Sequence, residues 1–165
     1  MASVMRFDKW ENNLGTSAIE VDSLGRISQP QKPIMSGQMG SFSAITGAQN
    51  VPFDDFWVTR GISYNSSTRR FTVSKSGIYR VSLNAFQLNS QSGTRIFIGV
   101  NTDTPDAGTG HRGHAYGGDA NHQILHLESV FPLNANDFIV FRLAAGGLYN
   151  ASGDRFNQFT IEMIA

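Results

Sequence analysis

Residues 62–83 read ISYNSSTRRFTVSKSGIYRVSL. The order is a polar turn, a short strand, a corner carrying Gly77, and a long strand in which Tyr79, Val81 and Leu83 alternate with Arg80 and Ser82. Successive side chains on a strand point to opposite faces, so this alternation gives one face to a core and the other to water. A short strand that turns at a glycine into a long alternating one builds the edge and corner of a β-sandwich.

Outward from this stretch, strand signals recur with short turns between them. Residues 33–39 and 42–46 are the candidate first strands. Residues 51–57 follow, and Pro52 confines that segment to a sheet edge or a strand start. Further strands are predicted at 69–74, 77–88, 94–101, 122–133, 138–143 and 156–165. In the segment 94–101, Ile96, Ile98 and Val100 share one face. Residues 134–137, Asn-Ala-Asn-Asp, are turn chemistry. Residues 102–120 read as a Gly-rich loop. No segment of ten or more residues holds a helical period, so the reading is an all-β sandwich or barrel of many short strands.

Two segments depart from clean alternation. Residues 123–127 (QILHL) and 138–141 (FIVF) are apolar on both faces and need cover on both sides. The sandwich core supplies one side. The other falls to a neighbouring subunit or to the N-terminal segment. Candidate core or subunit-interface residues are therefore Tyr79, Phe86, Ile124, Leu125, Leu127, Phe138, Phe141 and Phe159.

A chain of 165 residues is enough for one domain with a real core. Acids and bases cancel at 13 each, which argues against nucleic acid as a general partner. There is no Cys, which weighs against an animal extracellular origin. No apolar h-region marks a secretory signal, and no run approaches the ~20 residues that cross a bilayer. Synthesis in a cytoplasm and no membrane insertion are expected. Residues 1–32 mix Trp10 and Phe7 with a polar end at 28–33, and they form a hairpin at most, through Asp22 and Ser23. They read as an arm anchored by Phe7 and Trp10 that orders on a partner, ahead of a domain at 33–165.

That domain resembles the C1q and tumour-necrosis-factor-like jelly rolls. Tyr64 and Asn65 lead into Arg70-Phe71-Thr72-Val73, Gly77-Ile78-Tyr79 opens the long strand, and Asn136-Asp137-Phe138-Ile139-Val140 resembles the family's Gly-Asp opening of a late strand. The departures are Asn136 in place of that glycine and Phe156-Asn157-Gln158-Phe159 in place of Phe-x-Gly-Phe. The resemblance implies an antiparallel β-sandwich that assembles as a homotrimeric, non-enzymatic binding head. Residues 5–16, MRFDKWENNLGT, resemble the leader of structural proteins from tailed bacteriophages of the marine type. That second resemblance implies a virion protein bound to capsid or tail proteins, as a capsid decoration, head-fibre knob or tail-appendage tip. The alternatives are an adhesin for a host-surface glycan or protein, and a secreted C1q-like ligand or lectin.

Little in the chain suggests catalysis, and no cofactor is expected. Gly108 to Gly113 fits G-x-G-x-x-G, but polar residues precede it and no helix follows, so it lacks the setting of a dinucleotide site. His111, His114, His122 and His126 lie close in sequence without zinc-ligand spacing. Asp54, Asp55, Asp103 and Asp106 are mostly turn formers. The segment 102–120 is the candidate recognition loop, with His111, Arg112, His114 and Tyr116 set among glycines.

Overall fold

The computed structural model of the protein describes residues 9–11, 17–21, 23–29, 31–88, 93–118, 123–151 and 156–165. It divides into two compact units, Met1–Lys32 and Pro33–Ala165. In the first unit, β1 (Lys9–Glu11), β2 (Ser17–Val21) and β3 (Ile27–Ser28) form an antiparallel sheet. Trp10 lies opposite Ile19, and Val21 opposite Ile27. Leu24 and Ile27 are largely exposed, at 75% and 72%. Phe7 lies outside the described residues, as does the side chain of Trp10.

The second unit is a sandwich of two antiparallel sheets. Its strands are β4 (Ile34–Gln38), β5 (Ile45–Thr46), β6 (Gln49–Asn50), β7 (Asp55–Arg60), β8 (Ile62–Asn65), β9 (Arg70–Val73), β10 (Gly77–Phe86), β11 (Arg95–Val100), β12 (His111–Tyr116), β13 (Ile124–Leu133), β14 (Phe138–Ala145), β15 (Gly147–Leu148) and β16 (Gln158–Met163). One sheet runs β13-β10-β16-β4-β7. The other runs β12-β11-β14-β9-β8, with β6 also beside β14, and β15 pairs separately with β5.

The inner faces follow the period-two pattern. Tyr79, Val81, Leu83 and Ala85 of β10 are buried between the sheets, as are Ile96, Ile98 and Val100 of β11. Phe53 sits between the sheets although its own segment is not a strand. Its ring lies 4.6 Å from Phe159 on one sheet and 5.7 and 5.8 Å from Phe71 and Phe141 on the other. The Phe53 amide donates to the Tyr64 hydroxyl (3.0 Å), which fixes the depth of the insertion. Edge-to-face ring pairs of this kind add about 0.5–1.5 kcal/mol each beyond their burial. The Tyr79 hydroxyl donates to the Lys75 carbonyl (2.7 Å), so its polar end is satisfied at the rim.

Several local readings change. Residues 51–53 are core inserts, and the strand that follows begins at Asp55 and runs on to Arg60. Ile62–Asn65 is a strand rather than a polar turn, because Ile62 and Tyr64 face inward and Ser63 and Asn65 outward. The chain reverses at residues 65–69, where the Asn65 carboxamide accepts from the Ser67 and Thr68 amides. Asn136 adopts φ 74°, a left-handed conformation that asparagine tolerates better than most residues, so it serves where the resembled family has glycine.

The reading of 123–127 and 138–141 also changes. In β13, Leu125 and Leu127 are buried, while Ile124 is 73% exposed, and His126 faces outward, where it bonds Asn84 (2.7 Å). Strand β13 therefore alternates after all. In β14, Ile139 and Phe141 enter the core, and Val140 on the opposite face is fully buried. Its cover is local. Gly99 lies opposite Val140, and a side chain at Gly99 would meet Val140, Pro105 and the Thr102 carbonyl within about 3 Å. Phe138 lies beneath the Arg70 guanidinium, 4.1 Å from its ring centroid. Neither a neighbour nor the N-terminal segment is needed to bury this face.

Replacing Phe159 by Ala removes a ring that touches Phe53, Phe56, Phe71 and Phe141. Urea unfolding is expected to show a loss of ~3–5 kcal/mol, the cost of truncating a buried phenylalanine. An unchanged midpoint would mean that the ring does not join the sheets.

Candidate functional site

The four residues His111, Arg112, His114 and Tyr116 lie on a strand, β12, at the edge of the six-stranded sheet. Residues 102–110 form a connection with a 3-10 turn at Pro105–Ala107, ahead of this strand. The glycines that suggest a loop have a different role. Gly113 lies at the open side of the sandwich, where a side chain would make only ordinary contacts with Leu127, Ser129 and Ile98, whereas a side chain at Gly110 would strike the Val100 carbonyl. The Ser129 hydroxyl donates across that gap to the Arg112 carbonyl (2.7 Å). The G-x-G-x-x-G match runs from the end of the 3-10 turn into this strand, with no helix to cradle a phosphate.

A register shift opposite Ile98 and Gly99 leaves Arg112 unpaired in the ladder. This bulge re-aims the side chains that follow it, as bulges at sheet edges do. His111, His114 and Tyr116 consequently gather around one ring, Phe97 of β11. Its centroid lies 5.2, 5.9 and 6.3 Å from theirs. His114 is 5.0 Å from Tyr116, edge to face. His114 Nδ1 and His111 Nε2 are 3.1 Å apart, so the two rings share a hydrogen bond. Phe97 is only 6% exposed beneath them, whereas Tyr116 is 58% exposed.

The same outward face continues across the sheet. Arg95 lies opposite Tyr116, and Arg142 of β14 lies opposite both Phe97 and Asn50. The Arg142 Nε is buried without a hydrogen-bond partner. Beyond it, Asp103 accepts from Asn50 Nδ2 (3.0 Å) and from Arg70, with which it forms an ion pair. The Arg70 partnership holds the Asp103 carboxyl below its ordinary range against the opposing effect of burial, with help from Asn50 and the charge of Arg142. These bonds pin residues 102–105 across the sheet.

Phe97, Arg95 and Arg142 were not singled out from the sequence. The signal was present: with Ile96, Ile98 and Val100 inward, Arg95 and Phe97 had to face outward. Arg142 interrupts an apolar strand for the same reason. Among the proposed core or interface residues, Tyr79, Leu125, Leu127, Phe141 and Phe159 are buried in the sandwich. Phe86 and Phe138 are half-buried, and Ile124 is exposed.

The remaining polar candidates serve the fold. Asp54 accepts from the Gly40 amide (2.6 Å) and the Ser41 amide and hydroxyl, which outweigh burial and lower its pKa. Asp55 accepts from Gln38 (2.7 Å). Asn150 is buried and donates to the Met39 and Phe42 carbonyls, which closes the sequon at 150–152 to modification. Among the described residues, no group of three or more His, Asp or Glu converges on a common point. His122 lies outside the described residues.

No family model matches the sequence, and neither does any curated protein. Solved structures do match the fold. The Eiger TNF of S. frugiperda superposes with a TM-score of 0.63 at 11% identity, covering 82% of this chain and 94% of that one. Murine APRIL gives 0.58 at 11% identity, covering 80% and 99%. The globular domain of zebrafish complement 1qA gives 0.55 at 17% identity, covering 81% and 98%. The sandwich is therefore a C1q/TNF-like jelly roll.

Replacing Asp103 by Asn removes the anchor of residues 102–105. The pair is partly exposed, so the expected loss is about 0.5–1 kcal/mol, read as a melting temperature lower by roughly 1–4 °C. The wild-type carboxyl has a lowered pKa when folded, so its contribution is complete above the ordinary carboxylate range. It fades as pH falls through the folded value. The difference in melting temperature between wild type and Asp103→Asn should accordingly shrink on acidification from pH 7. A gap that persists unchanged in acid would refute the ion-pair origin.

Proposed function

We propose that the protein is a non-enzymatic homotrimeric jelly-roll head, mounted through residues 1–32 on the virion of a tailed bacteriophage. The observation that carries the assembly is the outward face of the five-stranded sheet. Its centre is a polar ladder in which Arg80 pairs with Glu162 (2.6 Å) and Asn84 bonds His126. Its edge strand β13 exposes Ile124 at 73% and Val130 at 52%. Beside Ile124 on the same face, Phe86 stacks on Phe156 at 4.9 Å. An apolar flank on a flat sheet, next to polar groups already paired in register, suits a closed cyclic contact that leaves no adhesive edge. The same fold in the C1q and tumour-necrosis-factor-like group supports three copies.

The attachment reading rests on the first unit. Leu24 in the turn after β2 and Ile27 of β3 are exposed and give it apolar surface for a partner. Residues 5–16 resemble a phage leader, which names the assembly. Capsid or tail proteins would then be the partners, and the particle the location.

Light scattering of the full chain at micromolar concentration is expected to give about three chain masses. Ile124→Glu combined with Val130→Glu should yield a folded monomer, because both side chains are exposed in the single chain. A chain beginning at Pro33 should keep the trimer and fail to enter particles. A monomeric wild type would overturn the assembly, and incorporation of the shortened chain would overturn the role of residues 1–32.

A further inference from the structure

We propose that the outward face of β11 and β12 binds an acidic saccharide, a pyranose carrying a carboxylate. The first support is the distribution of charge. The chain is neutral, with 13 basic and 13 acidic residues. Strands β11, β12 and β14, which are contiguous in the sheet, carry Arg95, Arg112, Arg142, His111 and His114 and no Asp or Glu. Arg142 keeps a buried Nε with no partner. Asp103, on the adjoining part of the sheet, is already held by Arg70 and Asn50. The face is a local cationic field on a neutral molecule, and its complement is an anion.

The second support is the ring surface. Tyr116 is 58% exposed and is held upright by His114, edge to face at 5.0 Å. A fixed, exposed aromatic face packs against the apolar C–H face of a pyranose with little loss of side-chain freedom. Arg95 lies opposite Tyr116, so its planar fork is placed to take the sugar's carboxylate through two parallel hydrogen bonds. The His111–His114 pair uses one nitrogen of each ring on the other (3.1 Å). The second nitrogen of each ring remains for sugar hydroxyls.

A nucleic acid fits less well. Single-strand binding stacks successive bases on successive exposed rings. Here Phe97, the second ring of the platform, is covered to 6% exposure. One open ring with flanking cations matches one sugar residue at a time. The inference is independent of where the head is mounted.

The test is calorimetric titration of the full chain with oligogalacturonate, its neutral methyl ester, and an oligothymidylate of equal charge. Oligogalacturonate should bind, and Tyr116→Ala and Arg95→Gln should each weaken it at least about tenfold, the size of one lost charge-assisted or stacking contact. Both positions are exposed, and an unchanged melting temperature will show that the variants are folded. The methyl ester should bind at least about tenfold more weakly than the acid. Absence of binding at low salt would overturn the proposal. So would equal binding of the oligothymidylate, which indicates a general anion effect, or insensitivity to both substitutions.

Discussion

The insertion of Phe53 between the two sheets is the contact on which the rest of the fold depends. Phe53 belongs to no strand, yet its ring meets Phe159 of the five-stranded sheet and both Phe71 and Phe141 of the six-stranded sheet. Stacked sheets lie about 10 Å apart, and a wedge of rings from both faces fills that gap at the density of a protein interior. Its position is set by polar bonds on either side. The Val51 amide donates to the Phe141 carbonyl (2.7 Å), and the Phe53 amide donates to the Tyr64 hydroxyl. The segment thus bonds to the sheet it packs on, which leaves its backbone satisfied without a strand partner of its own.

Once the inner faces are committed to this wedge, the two outer faces are free to diverge. The five-stranded sheet puts paired polar groups outward and keeps apolar side chains at its edge strand. The six-stranded sheet is overlaid by part of its own chain. Residues 102–105 cross β14 and β11, Val140 and Gly99 lie under them, and Arg70 holds Asp103 over Phe138. This overlay stops short of β12, so the aromatic and basic side chains there stay open. The same connection that buries one half of the face defines the boundary of the other half.

The long strands were legible because each places an apolar residue at every second position: Tyr79, Val81, Leu83 and Ala85 in β10, Ile96, Ile98 and Val100 in β11, and Phe159, Ile161 and Met163 in β16. β10, β11 and β16 are found this way, and the turns at 134–137 and near Gly77 follow from their residue types. β12 was not legible. His-Arg-Gly-His-Ala-Tyr has no branched residue, its inward positions opposite Ile98 and Ile96 are Gly113 and Ala115, and its bulge breaks the period at Arg112, which leaves His111 opposite Gly99. The neighbours that Gly113 meets, Leu127 and Ser129, are local only in three dimensions. β14 misled for a related reason. Its two-sided apolar character was read correctly, but the covering loop lies more than thirty residues earlier in the chain. The outward cluster of His111, His114 and Tyr116 was legible in part, because these residues are polar or aromatic among glycines. Phe97 and Arg142 were passed over because each lies within an apolar run.

The neutrality of the chain is best understood face by face. A head that packs against copies of itself gains from low net charge, since like charges on a shared surface repel and raise the cost of association. A face that captures an anion needs the opposite, a cluster of one sign. These demands are compatible only if acids and bases are segregated between the sheets. The ladder on the five-stranded sheet pairs its charges internally, Arg80 with Glu162. The six-stranded sheet leaves Arg95 and Arg112 exposed with no acid on their strands. Arg70 and Asp103, between these regimes, neutralise each other and lock the connection that separates the closed part of the face from the open one. On the proposed reading, the two outer faces would divide assembly and anion capture between them, on opposite sides of the Phe53 wedge.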